Sequence, residues 1–214
     1  MFKPQFGLAL AFIVLASGEW AMLAGIVVCS GIQFALIATL LHASMPIEYL
    51  QLMRDVSKVE YLIEPKPWEL HSIRALTRLV PEWIGMPIWL AASAVVIERT
   101  WRIWQRAADD GLRIGVLVLA TVLVSPHLFT YDASVLALTF LLVGAWVERD
   151  PIGRTISSQY WGLVCGLYAA FVLPFARLFF VQVSVLLMVW MLYVLTRAVL
   201  TPRQGADSAQ AVSI

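Results

Sequence analysis

The segment Ser125–Asp132, read as SPHLFTYD, places three side chains that could do chemistry inside an otherwise apolar part of the chain. His127 can donate to a phosphate or move a proton near neutral pH. Asp132 could accept a proton from a hydroxyl, with Tyr131 beside it. Ionisable groups at membrane depth are costly and usually face a cavity or a partner. The segment therefore points to a polar site.

A structural turn explains the same residues. Pro126 disfavours helical conformation in the residue before it. Thr130 or Asp132 could then cap the apolar helix expected over Ala133–Val147. The spacing alone leaves both interpretations open.

The composition indicates where these residues must work. The chain has 61% hydrophobic and 14% charged residues, and its mean hydropathy is +0.82. Ordinary soluble domains have about 45–50% apolar and about 25% charged residues, so this composition predicts a membrane protein. The net charge is only +1. The sequence also lacks a stripe of Lys and Arg residues that would indicate a nucleic-acid partner.

Apolar runs recur along the chain at lengths close to a membrane crossing, which takes about 20 residues. They predict an all-α, polytopic transmembrane helix bundle over residues 1–200, with six or seven crossings, and a disordered tail over 201–214. The apolar cores are Phe6–Ala16, Met22–Leu41, Trp83–Ile97, Ile114–Val124, Ala133–Val147, Tyr160–Phe175 and Phe179–Leu195.

The basic residues predict the orientation. With seven crossings, most arginines outside the cores fall on one side, in the loops 98–113 and 148–159 and in the tail. Positive charge in short loops is retained in the cytoplasm. The N-terminus, the long loop 42–82 and SPHLFTYD are therefore expected on the outer face of the membrane.

The long outer loop is patterned as well. Apolar residues recur every three or four positions from Tyr49 to Ile63, which predicts an amphipathic surface helix ended by Pro65 and Pro67. A second, shorter stripe runs from Ile73 to Val80, and Trp68 precedes it. The loop could simply pack on the bundle, or it could form a lid or docking surface for a lipid-linked substrate.

Three short motifs together resemble a known family. Ser125-Pro126-His127 followed by Tyr131-Asp132 is similar to the SPH(x)3YD-type motif of the family-87 glycosyltransferases, which are multi-pass members of the GT-C superfamily. Lys3-Pro4-Gln5 before an apolar helix resembles the KPQ motif of these proteins. Trp68 with Ser72-Ile73-Arg74-Ala75-Leu76 resembles their outer-loop segment. The resemblance covers about residues 3 to 147.

The resemblance implies a reaction. Such enzymes transfer a sugar, often a hexose such as mannose, from a polyprenyl-phosphate donor to a glycolipid or glycan acceptor on the outer face of the cytoplasmic membrane. It implies catalytic roles for His127 and Asp132. It also implies contacts to the substrate from Lys3, Gln5, Tyr131 and Trp68, although Lys3 could merely reach toward lipid headgroups. No cofactor is implied, and no residues with metal-ligand spacing predict a metal ion.

One departure limits the enzyme prediction. Family members carry their presumed catalytic base upstream of the KPQ motif, whereas this chain begins two residues before that motif. The resemblance thus implies a C-terminal half that lacks the base and needs a missing N-terminal half as its partner. The alternative function is that of a non-catalytic multi-pass membrane protein, either a transporter element or an assembly subunit.

Overall fold

A computed structural model describes residues 7–40, 42, 44–58, 70–126, 128, 130–172 and 182–201 of the chain. These residues form α-helices, one 3₁₀ helix and their connections, which confirms the all-α class. The helices are α1 (Gly7–Ser17), α2 (Trp20–Leu40), α3 (Met45–Lys58), α4 (Ile73–Thr77), α5 (Glu82–Arg106), α6 (Asp110–Val124), the 3₁₀ helix (Thr130–Val135), α7 (Leu136–Arg149), α8 (Pro151–Thr155), α9 (Ser157–Val172) and α10 (Val183–Leu200).

Among the described helices, α2 and α10 are long and apolar enough to cross a membrane. The helices α1, α6, α7 and α9 have 11, 15, 14 and 16 residues, fewer than the roughly 20 of a straight crossing. Helix α5 has 25 residues, but charged side chains occupy its last turns. A bundle of six or seven crossings is therefore not confirmed.

The two long apolar helices are packed differently. None of the residues of α2 is buried, and this helix contacts chiefly its chain neighbours α1 and α3. Helix α10 packs against α5, α6 and α9, and Met188 and Met191 on it are fully buried. The apolar surface of α2 is thus open, whereas α10 belongs to the core.

The core is centred on α6, which lies between α5, α7 and α10. Val116, Leu119 and Leu123 on α6 are completely buried. Gly115 lets α7 approach closely, since a Cβ there would come within 2.6 Å of Val143 Cγ2. The Thr139 hydroxyl of α7 donates to the Gly115 carbonyl at 2.9 Å. These contacts at Gly115 hold α6 closely against α7.

Helix α5 is longer than the apolar core Trp83–Ile97 suggested. It continues through Glu98 to Arg106, across residues expected in a loop. Arg102 forms an ion pair with Glu98 one turn earlier, which supports a helix here. The buried faces of Ile103 and Trp104 anchor this extension to the bundle.

The expected outer loop contains two helices. Helix α3 lies where the amphipathic pattern predicted one, while Pro65 and Pro67 fall outside the described residues. The second stripe is helical only over Ile73–Thr77. Its last members, Leu79 and Val80, are 54% and 39% exposed in the turn before α5, so this stripe does not extend as a single buried face.

The bundle has two chemically distinct ends. We call the first the turn end, formed by residues 70–85, 124–126, 128, 130–136 and 182–184. We call the second the arginine end, formed by residues 98–113, 146–161 and 197–201. Each of the helices α5, α6, α7 and α10 runs between the two ends.

Candidate functional site

The turn end brings the outer-loop segment against SPHLFTYD. The backbone N–H of His71 donates to the carbonyl of Leu128 at 3.0 Å. Helix α6 ends at Val124, and Ser125 has φ −53° and ψ 129°, the extended conformation expected before a proline. The chain leaves the helix at this point and meets residues 70–74.

His71 is the buried ionisable base of this end. Its Nδ1 lies 2.8 Å from Ser184 Oγ at the start of α10, and its ring centroid lies 4.8 Å from that of Phe171. Burial lowers the pKa of His71 to about 4, because the charged ring would lose its hydration. The ring is therefore neutral near pH 7, with one nitrogen that donates and one that accepts.

Arg74 is the buried cation. Its residue is 7% exposed, and its Nη2 donates to Glu82 Oε1 at 3.0 Å while the Glu82 side chain stays exposed. The Arg74 Nη1 is buried and has no hydrogen-bond partner among the described residues. A guanidinium keeps its charge in proteins, so this group presents an unused charged donor inside the protein.

The position of Arg74 depends on close packing between α4 and α5. A Cβ at Gly85 would overlap the carbonyl of Thr77, so only glycine permits this approach. The Thr77 hydroxyl in turn donates to the Arg74 carbonyl at 3.1 Å. Local backbone contacts thus hold the arginine against the first turn of α5.

Further polar side chains of the turn end are buried. The hydroxyl groups of Ser72 and Ser125 are buried and have no partner among the described residues. Gln182, just before α10, is 4% exposed. Unsatisfied buried polar atoms are rare in proteins, and each one calls for a structural or functional reason. The turn end has three such atoms, in Ser72, Arg74 and Ser125, and Arg74 is the one arginine among the described residues that is buried. This buried charge makes the turn end the candidate site.

The residues predicted from the sequence are only partly within the described chain. Asp132 is partly buried in the 3₁₀ helix of the turn end. Helix α7 starts at Leu136 with Val135 at its N-cap and no side-chain cap bond. The N-cap position of α7 is thus Val135 and not Thr130 or Asp132, because the 3₁₀ helix Thr130–Val135 lies directly before α7. Outside the described residues or side chains lie Lys3, Gln5, Trp68, His127 and Tyr131.

The sequence reasoning assigned no role to three residues of this end. Arg74 belonged to a recognised motif segment without a function of its own, and His71 and Ser184 were not considered. Arg74 could have been found, because an arginine within an apolar stripe is unusual. The His71–Ser184 contact joins residues 113 positions apart and has no local signal.

The described residues contain no group of three or more His, Cys, Asp or Glu side chains placed to hold a metal ion. Comparison with protein-family models, with curated proteins and with solved structures found no match to this chain. The chemistry of the turn end is therefore argued from its own residues.

Proposed function

We propose that the chain acts in glycosyl transfer at a membrane. It would bind a polyprenyl-phosphate sugar whose hexose, such as mannose, passes to a glycolipid or glycan acceptor. The reaction class comes from the motif resemblance. The observation that carries the proposal is the buried guanidinium of Arg74, which has an unused donor beside the segment that contacts SPHLFTYD.

The chemistry of the turn end fits a phosphate-linked donor. When a sugar leaves polyprenyl phosphate, negative charge develops on the phosphate oxygens, and a preorganised cation stabilises that charge. Arginine suits this role because its N–H groups match phosphate oxygens. His71, three positions before Arg74 in the chain, is neutral and so adds no further positive charge to this end.

The proposed location is the cytoplasmic membrane, with the turn end facing outward. Basic residues concentrate at the arginine end, and the positive-inside rule then assigns that end to the cytoplasm. A polyprenyl-phosphate sugar displayed on the outer face would reach the turn end from the lipid. The membrane lipid, the donor and the acceptor are the proposed partners.

The experiment measures donor binding first and transfer second, because Arg74 is assigned to the donor phosphate rather than to proton removal. Membranes that contain the chain are incubated with a radiolabelled polyprenyl-phosphate mannose that carries a photo-crosslinking group. Arg74→Met keeps the apolar length of the side chain and removes its donors. We expect crosslinking to fall by at least about tenfold, the loss of one charge-assisted hydrogen bond.

Arg154→Met is the matched control. This exposed arginine lies at the opposite end of the bundle and donates to the Glu148 carbonyl at 3.0 Å. Donor crosslinking should be unchanged in this variant. Equal losses in both variants, or no loss in Arg74→Met, would contradict the proposal.

Assembly with another membrane protein is the second candidate function, and α2 favours it. This helix is apolar along its whole length and has no buried residue. Crosslinking from cysteine pairs introduced on α2 would detect a partner helix. A partner without any donor binding would support assembly over glycosyl transfer.

A further inference from the structure

An open cavity of about 540 Å³ lies at the arginine end, where α5, α7 and α10 end and α6 begins. Its volume falls within the range of small-molecule sites. Four charged residues line it, together with apolar side chains that include Leu112 and Trp146. The charged residues are Arg106, Arg149, Asp109 and Asp150.

The two arginines have donors to offer. Arg106 Nη1 donates to the carbonyl of Leu200, at the end of α10, at 3.2 Å. That bond uses only one of its five N–H groups. Arg149, exposed at the end of α7, makes no hydrogen bond or ion pair within the described part of the chain. Two guanidinium groups at one cavity can bind a phosphate.

The two aspartates are held by backbone groups. Asp109 Oδ1 accepts from the N–H of Leu112 at 2.7 Å, and Asp150 Oδ1 accepts from the N–H of Ile152 at 2.7 Å. Each carboxylate retains a second oxygen that can accept further hydrogen bonds. The cavity therefore presents two positive and two negative groups, and its formal charges cancel.

Other carboxylates of this end are engaged elsewhere. Glu98 pairs with Arg99 at 3.2 Å, Asp110 pairs with Arg113 at 3.1 Å, and Glu148 accepts from Trp161 Nε1 at 2.8 Å. None of these carboxylates lines the cavity. The combination of two positive and two negative groups is thus specific to the cavity lining and does not simply reflect all the charged residues of the arginine end.

We propose that this cavity binds a phospholipid whose headgroup carries both a phosphate and a primary ammonium, as an ethanolamine headgroup does. The phosphate lies against Arg106 and Arg149, and the ammonium donates to Asp109 and Asp150. The acyl chains follow the half-buried apolar side chains of Ile152 and Val199 in the cavity lining. Basic pockets between helices at the cytoplasmic side of a membrane are known places for headgroups.

The charges discriminate among headgroups. A glycerol headgroup brings a phosphate without an ammonium, so the second carboxylate oxygen of each aspartate gains no partner and no positive charge offsets the repulsion between phosphate and carboxylates. A choline headgroup has the positive charge but no N–H to donate. A site is specific when the wrong ligands leave some of its groups unpaired. Of these three headgroups, the ethanolamine headgroup is the one that can pair with both the arginines and the aspartates.

The test uses the full chain in detergent micelles and measures lipid retention by native mass spectrometry. Ethanolamine, choline and glycerol phospholipids with identical acyl chains are titrated separately. We expect the ethanolamine lipid to bind about tenfold more tightly than either of the others, equivalent to one charge-assisted hydrogen bond. Arg149→Gln should weaken its binding by about tenfold.

Asp109→Asn tests the ammonium contact separately. Asparagine can still accept the bond from the Leu112 N–H, so α6 keeps its cap. This variant should lose the preference for ethanolamine over glycerol lipid and remain folded, as judged by an unchanged thermal unfolding midpoint. A retained preference would overturn the assignment of the ammonium.

Arg154→Gln removes the same charge from the arginine end without touching the cavity lining. It should leave lipid binding unchanged. The proposal is overturned if Arg154→Gln weakens binding as much as Arg149→Gln, or if the glycerol lipid binds most tightly. Competition by soluble phosphoethanolamine at lipid-equivalent concentration would overturn the lipid as the source of the headgroup.

Discussion

At the arginine end, the charged side chains of the described residues are exposed or half-buried, and several have partners. Glu98 bonds to Arg102 and Arg99, and Asp150 accepts two backbone N–H groups of α8. At the turn end, polar side chains are buried and several lack partners, among them Ser72, Arg74 Nη1 and Ser125. The arginine end also has buried polar atoms without a partner among the described residues, in Thr100, Trp104 and Arg113. The difference is that the turn end holds a buried arginine, whereas no arginine described at the other end is buried.

This difference between the two ends distinguishes polar groups that the fold can easily accommodate from polar groups that call for a functional explanation. Exposed ion pairs contribute little to stability, about 0–1 kcal/mol each, but they cost little too. A buried polar atom without a partner costs about 1–3 kcal/mol. Stability alone would remove such groups from the turn end. Their presence is understandable if a polar ligand completes their hydrogen bonds.

The largest expected effect comes from breaking the packing that holds Arg74. Gly85→Ala would drive a Cβ into the Thr77 carbonyl, and backbone atoms cannot move aside without displacing α4. We expect a loss of up to about 3 kcal/mol in the free energy of unfolding, measured in micelles by denaturant titration. Donor crosslinking should fall as well.

Gly162→Ala is the matched control for this change. A Cβ at Gly162 in α9 meets no atom within 4 Å. Alanine is the better helix former there and should stabilise by about 0.5–1 kcal/mol. If both glycine variants behaved alike, the approach of α4 to α5 would not depend on Gly85.

Acidification should affect the turn end through His71. Its pKa is lowered to about 4 in the folded chain, against about 6.5 when unfolded, so between these values the unfolded chain binds more protons. Stability is fully present above pH 6.5 and falls as the pH drops toward 4. From pH 7 to pH 5 the loss should be about 2 kcal/mol.

His71→Gln should remove this pH dependence, since glutamine does not titrate. His42→Gln changes an exposed histidine and should leave the dependence intact. Unfolding midpoints at pH 7, 6 and 5 measure the effect for all three chains. An unaltered slope in His71→Gln would show that another group is responsible.

The smallest expected effects are changes in the free energy of unfolding that differ between one alanine substitution at the arginine end and one at the turn end. Asp150→Ala deletes a side chain that accepts from Ile152 and Gly153, and should cost about 1 kcal/mol, as helix caps do. Ser125→Ala deletes a buried hydroxyl without a partner among the described residues. It should be neutral or slightly stabilising in the same unfolding measurement. A cost equal to that of Asp150→Ala would mean that Ser125 is satisfied after all.

Much of the helical layout follows from the sequence. The expected core Met22–Leu41 corresponds to α2, and Ile114–Val124 lies within α6, which ends just before Ser125-Pro126. The errors arose where polar residues continue a helix. Helix α5 extends to Arg106 because its apolar face packs on the bundle while its polar face is exposed. The average hydropathy of the segment conceals this apolar face.

The candidate site was predicted less completely. The sequence predicts SPHLFTYD as an interruption of the apolar run, and α6 does end just before it, at Val124. The sequence could not show that Arg74 is buried there, because the burial depends on Gly85 in the next helix. Nor could it show the lining of the cavity at the arginine end, which draws on five separate helices.

The sequence by itself determined the apolar composition, the positions of most helices and the helix break at Pro126. These properties depend on neighbouring residues, through helix periodicity and the conformational restriction that proline imposes. Only the tertiary structure decided which polar groups are buried and which are paired. His71 and Ser184 are 113 positions apart, and Arg106 and Leu200 are 94 apart. Such contacts depend on how whole helices pack, and no local pattern encodes them.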